Sequence, residues 1–200
     1  MIVGLVLAAG AGRRYGGLKQ LAPLGGRPIL ERVLAAMAAS PVNGTVVVLG
    51  AQAEAVLVGV DLHGALPVRC EEWEDGVSMS LRAGLEAIPD AEAAVVTVGD
   101  QPLLSPLAVE RVLAARDPAS HGAGGSALAV RATYAGVPGH PVVIENALFE
   151  RARSLSGDAG ARTLLDSVPT LSVPCDGLGR PEDVDTPQEL YRLGDELVAQ

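Results

Sequence analysis

The sequence predicts an α/β fold: a three-layer domain in which a mostly parallel central sheet lies between two layers of helices. Three observations carry this reading. Apolar runs rich in Val, Ile and Leu recur at Ile2–Ala8, Thr45–Leu49 and Ala93–Val98, and they are continuous in hydrophobicity rather than alternating, as strands covered on both faces are. Segments with apolar residues at helical spacing separate them, so strand and helix alternate from residue 2 to about residue 116. The first and third runs end abruptly in glycine-containing, charged loops. In parallel sheets, ligands bind at such carboxyl ends.

Each element has its own signal. After the first strand, residues 10–19 hold Gly10, Gly12, Gly16 and Gly17 with Arg13, Arg14 and Lys19 among them. Ile29, Leu30, Val33, Leu34 and Met37 then share one helical face, and Pro28 suits the first turn. Thr45–Leu49 is the second strand, 53–58 a short helix and 67–70 a short strand. Residues 71–76 are acidic and hold the only tryptophan, Trp73. Leu81, Leu85 and Ile88 follow at helical spacing, which puts Ser78 and Ser80 at a helix N-terminus, where plain capping by Ser78 is the bland reading. Ala93–Val98 ends in Gly99-Asp100-Gln101-Pro102, and Ser105 and Pro106 open a helix with Val109, Val112 and Leu113 inward. The second half is less regular: a strand over 124–130, a loop over 136–141, a strand over 142–144, a helix from 148 and a strand over 168–173. The last helix has a clear start, with Thr186 as N-cap, Pro187 at the first position and Glu189 completing a capping box. Leu190, Leu193 and Leu197 form its core stripe.

Composition narrows the function. Two hundred residues suit a single domain, 1–200, able to bury roughly 70% of its unfolded surface. Hydrophobic residues make up 48% but aromatics only 2%, so the core is built from Ala, Val and Leu. The formal charge of −9 argues against a nucleic acid partner, which needs a basic face. No apolar run reaches the ~20 residues that span a bilayer, and Met1 leads directly into a strand, so neither a membrane segment nor a signal peptide is expected and the location reads as cytoplasmic. Cys70 and Cys175 are isolated and read as buried free thiols. His63, His121 and His140 are not spaced as metal ligands.

A glycine-rich, cationic loop between strand and helix is a phosphate site, because glycines let backbone N–H groups approach an anion that arginine and lysine neutralise; a glycine-rich surface turn is the bland alternative. It is not a dinucleotide fingerprint. Gly16 comes one residue too late after Gly10 and Gly12, and the second strand ends in Gly50-Ala51-Gln52 with no acid for a ribose. Nor is it a P-loop, which needs Gly-Lys-Ser/Thr. Asp100 ends an apolar strand, where a carboxylate is costly unless paired or metal-bound, although an Asx-type turn before Pro102 is the plain reading.

Leu7-Ala8-Ala9-Gly10-x-Gly12-x-Arg14-x-Gly16, followed by Lys19-x-Leu21-x-Pro23-Leu24, resembles the nucleotide-binding loop of the nucleotidyltransferases. Within them the chain is most similar to the molybdopterin nucleotidyltransferases, in their molybdenum cofactor cytidylyltransferase branch. Tyr15 and Gly12 depart from that branch's usual methionine and serine. The resemblance implies a Rossmann-like fold of the nucleotide-diphospho-sugar transferase type, with a nucleotide-binding half over about 1–116 and an acceptor-binding half over about 117–200. It implies that Leu7, Ala8, Ala9, Gly10, Gly12, Arg14, Lys19, Ser78, Ser80 and Gly99 bind the nucleotide, with Arg14, Lys19 and Asp100 catalytic. Gly-Asp-Gln-Pro at 99–102 looks like the family motif whose aspartate holds magnesium, and Asp185 in Asp183-Val184-Asp185-Thr186-Pro187 supplies a second carboxylate. Gly139-His140-Pro141 and Gly157-Asp158-x-Gly160-Ala161-Arg162 resemble acceptor-side motifs, which gives Gly139, His140, Asp158 and Arg162 that role; a guanidinium suits the acceptor's phosphate.

The implied reaction is magnesium-dependent transfer of CMP from CTP, or of another nucleotide from its triphosphate, to the terminal phosphate of a molybdopterin-type acceptor. The implied protein partner is a molybdoenzyme or its chaperone. Ala9 favours a pyrimidine, since the guanylyl branch tends to have glycine there. The competing readings are a GTP-dependent guanylyltransferase, an NAD(P)-dependent oxidoreductase on the same fold, and a non-catalytic cofactor chaperone.

Overall fold

The apolar run Ile2–Ala8 forms β1 at the heart of a seven-stranded sheet. The computed structural model describes residues 1–116, 127–157 and 161–198. After β1 come a short hairpin, β2 (Pro23–Leu24) and β3 (Arg27–Pro28), then α1 (Ile29–Ala38), β4 (Thr45–Leu49), α2 (Ala53–Gly59), β5 (Leu66–Arg69), α3 (Val77–Glu86), β6 (Ala93–Val98) and α4 (Pro106–Ala114). The second half adds β7 (Ala129–Tyr134), β8 (Val137–Glu145), α5 (Phe149–Arg153), α6 (Ala161–Asp166), β9 (Thr170–Pro174) and α7 (Pro187–Val198). The strand order is β5-β4-β1-β6-β8-β7-β9. All run parallel except β8, which is antiparallel to both β6 and β7.

Strands without polar alternation bury both faces, and β1 does so. Val6 and Ala8 pack with Leu30, Val33, Leu34 and Met37 of α1 and with Val109 and Val112 of α4. Val3, Leu5 and Leu7 pack on the other face with Leu81 and Leu85 of α3 and Phe149 of α5. A third cluster joins Leu190 and Leu193 of α7 to Leu24, Ile29 and Val184, with Leu197 partly buried beside it. Cys70 and Cys175 are buried and free. Among the described residues, no helix is long and apolar enough to cross a membrane.

Four expectations need correction. Residues 136–141 are not a loop: Val137–Glu145 is one strand, paired with β7 as a hairpin. Only Val142–Glu145 also pairs with β6, so the first half of β8 has one neighbour and tolerates Pro138 and Gly139. Ser78 does not cap α3; Gly76 stands at the cap, and the Ser78 hydroxyl donates to the Gly157 carbonyl at 2.7 Å. Pro28 ends β3 just before α1 rather than opening the helix. The strand placed at 124–130 begins at Ala129, and residues 124–126 lie outside the described residues. The caps at Ser105 and Thr186 form as expected. The Ser105 hydroxyl accepts from Leu107 N, the Thr186 hydroxyl accepts from Glu189 N at 3.3 Å, and the Glu189 carboxylate accepts from Thr186 N at 2.8 Å.

Candidate active site at the carboxyl edge of the sheet

The register of the central strands aligns their carboxyl ends. Ala8 lies beside Leu49, and Leu7 beside Val98, so the segments leaving β1, β4 and β6 emerge together. Between them opens a pocket of about 400 Å³. Its walls include Leu7, Ala8, Ala9, Gly10, Gly12, Arg14, Lys19, Ser80, Gly99, Asp100 and Asp185, all marked in the sequence, together with Arg13, Gln20, Trp73 and Glu74. Three basic and three acidic side chains therefore face one another there: Arg13, Arg14 and Lys19 against Glu74, Asp100 and Asp185.

The glycine-rich loop is held in shape by its own backbone and by one buried amide. Gly12 has φ +64°, and a Cβ there would meet the Gly17 carbonyl oxygen at 2.2 Å, so only glycine fits. Gly16 N donates to Gly12 O at 3.0 Å, and Lys19 N to Gly17 O at 2.9 Å, which closes the loop and delivers Lys19 into a 3₁₀ turn, Lys19–Leu21. Gln20, buried, donates its side-chain N–H groups to Ala8 O at 3.0 Å and Gly10 O at 2.7 Å. Trp73, also in the pocket wall, packs against Gly50, where a Cβ would come within 2.6 Å of Trp73 Cβ and Cγ.

The charged centre joins three distant segments. Lys19 Nζ donates to Asp100 Oδ2 at 2.5 Å and to Asp185 Oδ1 at 2.9 Å. Arg14, exposed, reaches Asp185 Oδ2 at 2.8 Å. Burial opposes the lysine's charge, but the two carboxylates outweigh it and hold its pKa above the usual lysine value. Asp100 follows β6 directly, and Asp185 precedes α7, where the Glu189 carboxylate accepts from the Asp185 amide at 2.8 Å. That bond and its partner at Thr186 hold Glu189 below the usual carboxylate range.

The two aspartates suit a hard divalent cation. Asp100 Oδ1 is buried and has no hydrogen-bond partner, which leaves a carboxylate lone pair aimed at nothing in the protein. Among the described residues there is no group of three or more His, Cys, Asp and Glu side chains placed to hold a metal. Two carboxylates completed by phosphates and water are the usual surroundings of magnesium.

Not every marked residue reaches the pocket. Ser78 is buried and committed to Gly157. Gly139 packs against Tyr134 and Pro181. His140 is half-buried, and burial lowers its pKa while the charge of Asp100, within electrostatic reach, partly offsets this. Arg162 is exposed on α6 and does not line the pocket, and Asp158 lies outside the described residues. Sequence reasoning missed the amides. Gln101, buried, donates to Pro181 O at 2.9 Å and to Asp183 Oδ1 at 2.8 Å, and nothing local marks it. Partial burial of the Asp183 carboxyl, with the charge of Asp100 nearby, pushes its pKa up.

Known proteins bear on this geometry. The family described as MobA-like NTP transferase domain matches residues 4–173. The chain is 37% identical over 198 residues to nicotine blue oxidoreductase of Paenarthrobacter nicotinovorans, with 96% of each chain covered. It is 41% identical over 116 residues to molybdenum cofactor guanylyltransferase of Rhodobacter capsulatus, covering 57% of this chain and 58% of that one. The crystal structure of Rv0371C in complex with manganese, from Mycobacterium tuberculosis, matches with a TM-score of 0.79 at 30% identity, over 97% of this chain and 98% of that one.

Proposed function

Because the chain belongs to the MobA-like NTP transferase family and has the helix-flanked, mostly parallel sheet of that fold, we propose that it transfers CMP from CTP to the terminal phosphate of a molybdopterin-type acceptor, releasing pyrophosphate, with magnesium as its metal. The observation that carries this reading is the Lys19 ammonium held between the carboxylates of Asp100 and Asp185, below a glycine-rich loop. That arrangement pairs a phosphate-binding cation with two hard oxygen ligands, and among the described residues the pocket holds no nucleophile–histidine pair. The name of the Rhodobacter relative supports the acceptor class, and the manganese in the mycobacterial structure supports use of a divalent ion.

In the proposed reaction an acceptor phosphate oxygen attacks the α-phosphorus. The bond from that phosphorus to its bridging oxygen breaks, and the electron pair leaves on pyrophosphate. The attacking oxygen is already an anion, so no general base is needed and the protein's work is positioning and charge neutralisation. The Gly10–Gly12 backbone, Arg14 and Lys19 hold the triphosphate. Asp100 and Asp185 would hold the magnesium, which would neutralise charge on the phosphates. Ala9, buried in the pocket wall, narrows the base site toward a pyrimidine. Gly139 and His140 form the acceptor side, a reading supported by the proximity of His140 to Asp100; Asp158 and Arg162 join them on resemblance alone. The two free, buried cysteines support a reducing, cytoplasmic setting.

A second reading is favoured by one observation: the relative matched over almost its whole length is named an oxidoreductase. A thermal-shift panel with CTP, GTP, ATP, UTP and NADPH, with and without magnesium, separates the two. A ligand at 100 times its Kd stabilises by ~2.7 kcal/mol, which at this size raises Tm by about 5–11 °C. The expected result is a shift with CTP that a chelator abolishes. A shift with GTP alone keeps the enzyme class and changes the nucleotide. A shift with NADPH, indifferent to magnesium, replaces the transferase reading with the oxidoreductase.

A further inference from the structure

Asp100 and Asp185 are 85 positions apart in sequence, and no hydrogen bond joins one carboxylate directly to the other. Lys19 bridges them, but an ammonium on a flexible stem does not fix a spacing, and the same ammonium is needed by the phosphates. Something rigid must set where the two oxygens stand. Gln101, next in sequence to Asp100, is 6% exposed. Its Nε2 carries two N–H groups, and both are used across the gap: one donates to Pro181 O at 2.9 Å, the other to Asp183 Oδ1 at 2.8 Å. The backbone adds a third tie, Val184 N donating to Asp100 O at 2.9 Å, and a fourth further along, Arg180 N donating to Leu103 O at 3.2 Å. Val184 itself is 1% exposed and packs beneath α7.

We infer that Gln101 is a positioning residue, which staples the strand end bearing Asp100 to the 181–185 segment and so sets the separation of the Asp100 and Asp185 carboxylates for a divalent cation. The inference rests on the metal role proposed above. Asp183 is assigned to the staple as its anchor, since its Oδ1 accepts from the Gln101 amide. The chemistry explains the residue type. Two acceptors on one side of a gap need one group with two N–H donors, and an amide supplies them without adding charge between carboxylates. A lysine or arginine there would set a positive charge beside the carboxylates offered to the cation. Outer partners of this kind typically account for 10–100-fold in metal affinity.

The test titrates Mn²⁺ alone into the full chain, following the free ion by electron paramagnetic resonance, and measures amide exchange at Val184 alongside core amides of β1 and β4. Gln101→Met keeps the volume and removes both donors. Asp183→Ala removes one bond from the other side and stands in if the first variant does not fold. Asp183→Asn keeps an acceptor for Gln101. The expected result is Mn²⁺ affinity about ten-fold weaker in Gln101→Met and Asp183→Ala and near wild type in Asp183→Asn, with exchange faster at Val184 and unchanged in β1 and β4. Wild-type affinity in Gln101→Met, with affinity lost in Asp185→Asn, overturns the inference and leaves the metal reading standing. Loss of affinity in Asp183→Asn also overturns it, making Asp183 a ligand. If Asp185→Asn binds Mn²⁺ as wild type does, the metal reading is what fails. The exchange measurement then decides the staple alone: faster exchange at Val184 upholds it, and unchanged exchange overturns it.

Discussion

Two centres of paired charge stand at opposite edges of the sheet. At the amino edge Arg116 meets Glu145, which stands opposite the first residue of β6. The pair is bidentate, at 2.7 and 2.8 Å, and its side chains are only 8% and 4% exposed. At the carboxyl edge Lys19 meets Asp100 and Asp185, more open at 13, 23 and 22%, and Asp100 Oδ1 is left without a partner. The first centre is closed to further ligands by its geometry. The second is balanced but open, and each of its members has a bonding position that a substrate or cation can take. Charges that serve stability complete one another, whereas charges that serve binding leave a remainder.

Breaking each centre should therefore give opposite results. Arg116→Met takes a bidentate cation away from the buried Glu145 carboxylate and should cost up to about 3–5 kcal/mol, which at this chain length lowers Tm by as much as roughly 6–20 °C with turnover per folded molecule unchanged. Thermal unfolding of the variant beside wild type checks this. Asp100→Ala should do the reverse, leaving Tm nearly in place while nucleotide transfer falls at least ~10²-fold, measured as pyrophosphate release. Unchanged turnover in that variant would erase the functional half of the comparison. Near the open centre, Tyr134 donates its hydroxyl to His140 O, and burial pushes its pKa up to about 12. The unfolded phenol ionises near 10, so this contribution is complete below about pH 10 and is lost as pH rises toward 12. The stability advantage of wild type over Tyr134→Phe should shrink across that window in urea titrations. The smallest effect is expected where charge only trims a helix end. Thr186→Ala removes the cap of α7 and should cost ~1 kcal/mol, with little change in activity if Asp185 stays in place through Glu189.

What the sequence made legible follows the range of the forces involved. The strand-loop-helix unit over residues 2–38 was readable because its signals are local: an apolar run, glycines at a tight loop, and an apolar face at helical spacing. The caps at Ser105 and Thr186 close within three residues and were equally readable. Ser78 carries the same kind of signal, but its hydroxyl bonds Gly157, 79 residues away, and the local rule fails. Gln101 and Gln20 were invisible for the same reason, since a side-chain amide has no pattern until its acceptors are in place. The first half of β8 was misread because its prolines and glycine suit a turn, and only its position beside a single neighbour strand makes them acceptable. Asp100, by contrast, stood out as a charge ending an apolar strand, where an unpaired carboxylate is costly, whereas Asp185 was reached only through the family resemblance and Glu74 carried no signal.

Trp73 has a use of its own. It is the chain's only tryptophan, it lies on Gly50, and it forms one wall of the pocket. Indole emission excited at the red edge of its absorption band therefore comes from the pocket alone, with no label and no background from elsewhere in the fold. The molecule carries its own optical gauge, and a ligand that enters the cleft announces itself by changing the colour or brightness of that single residue.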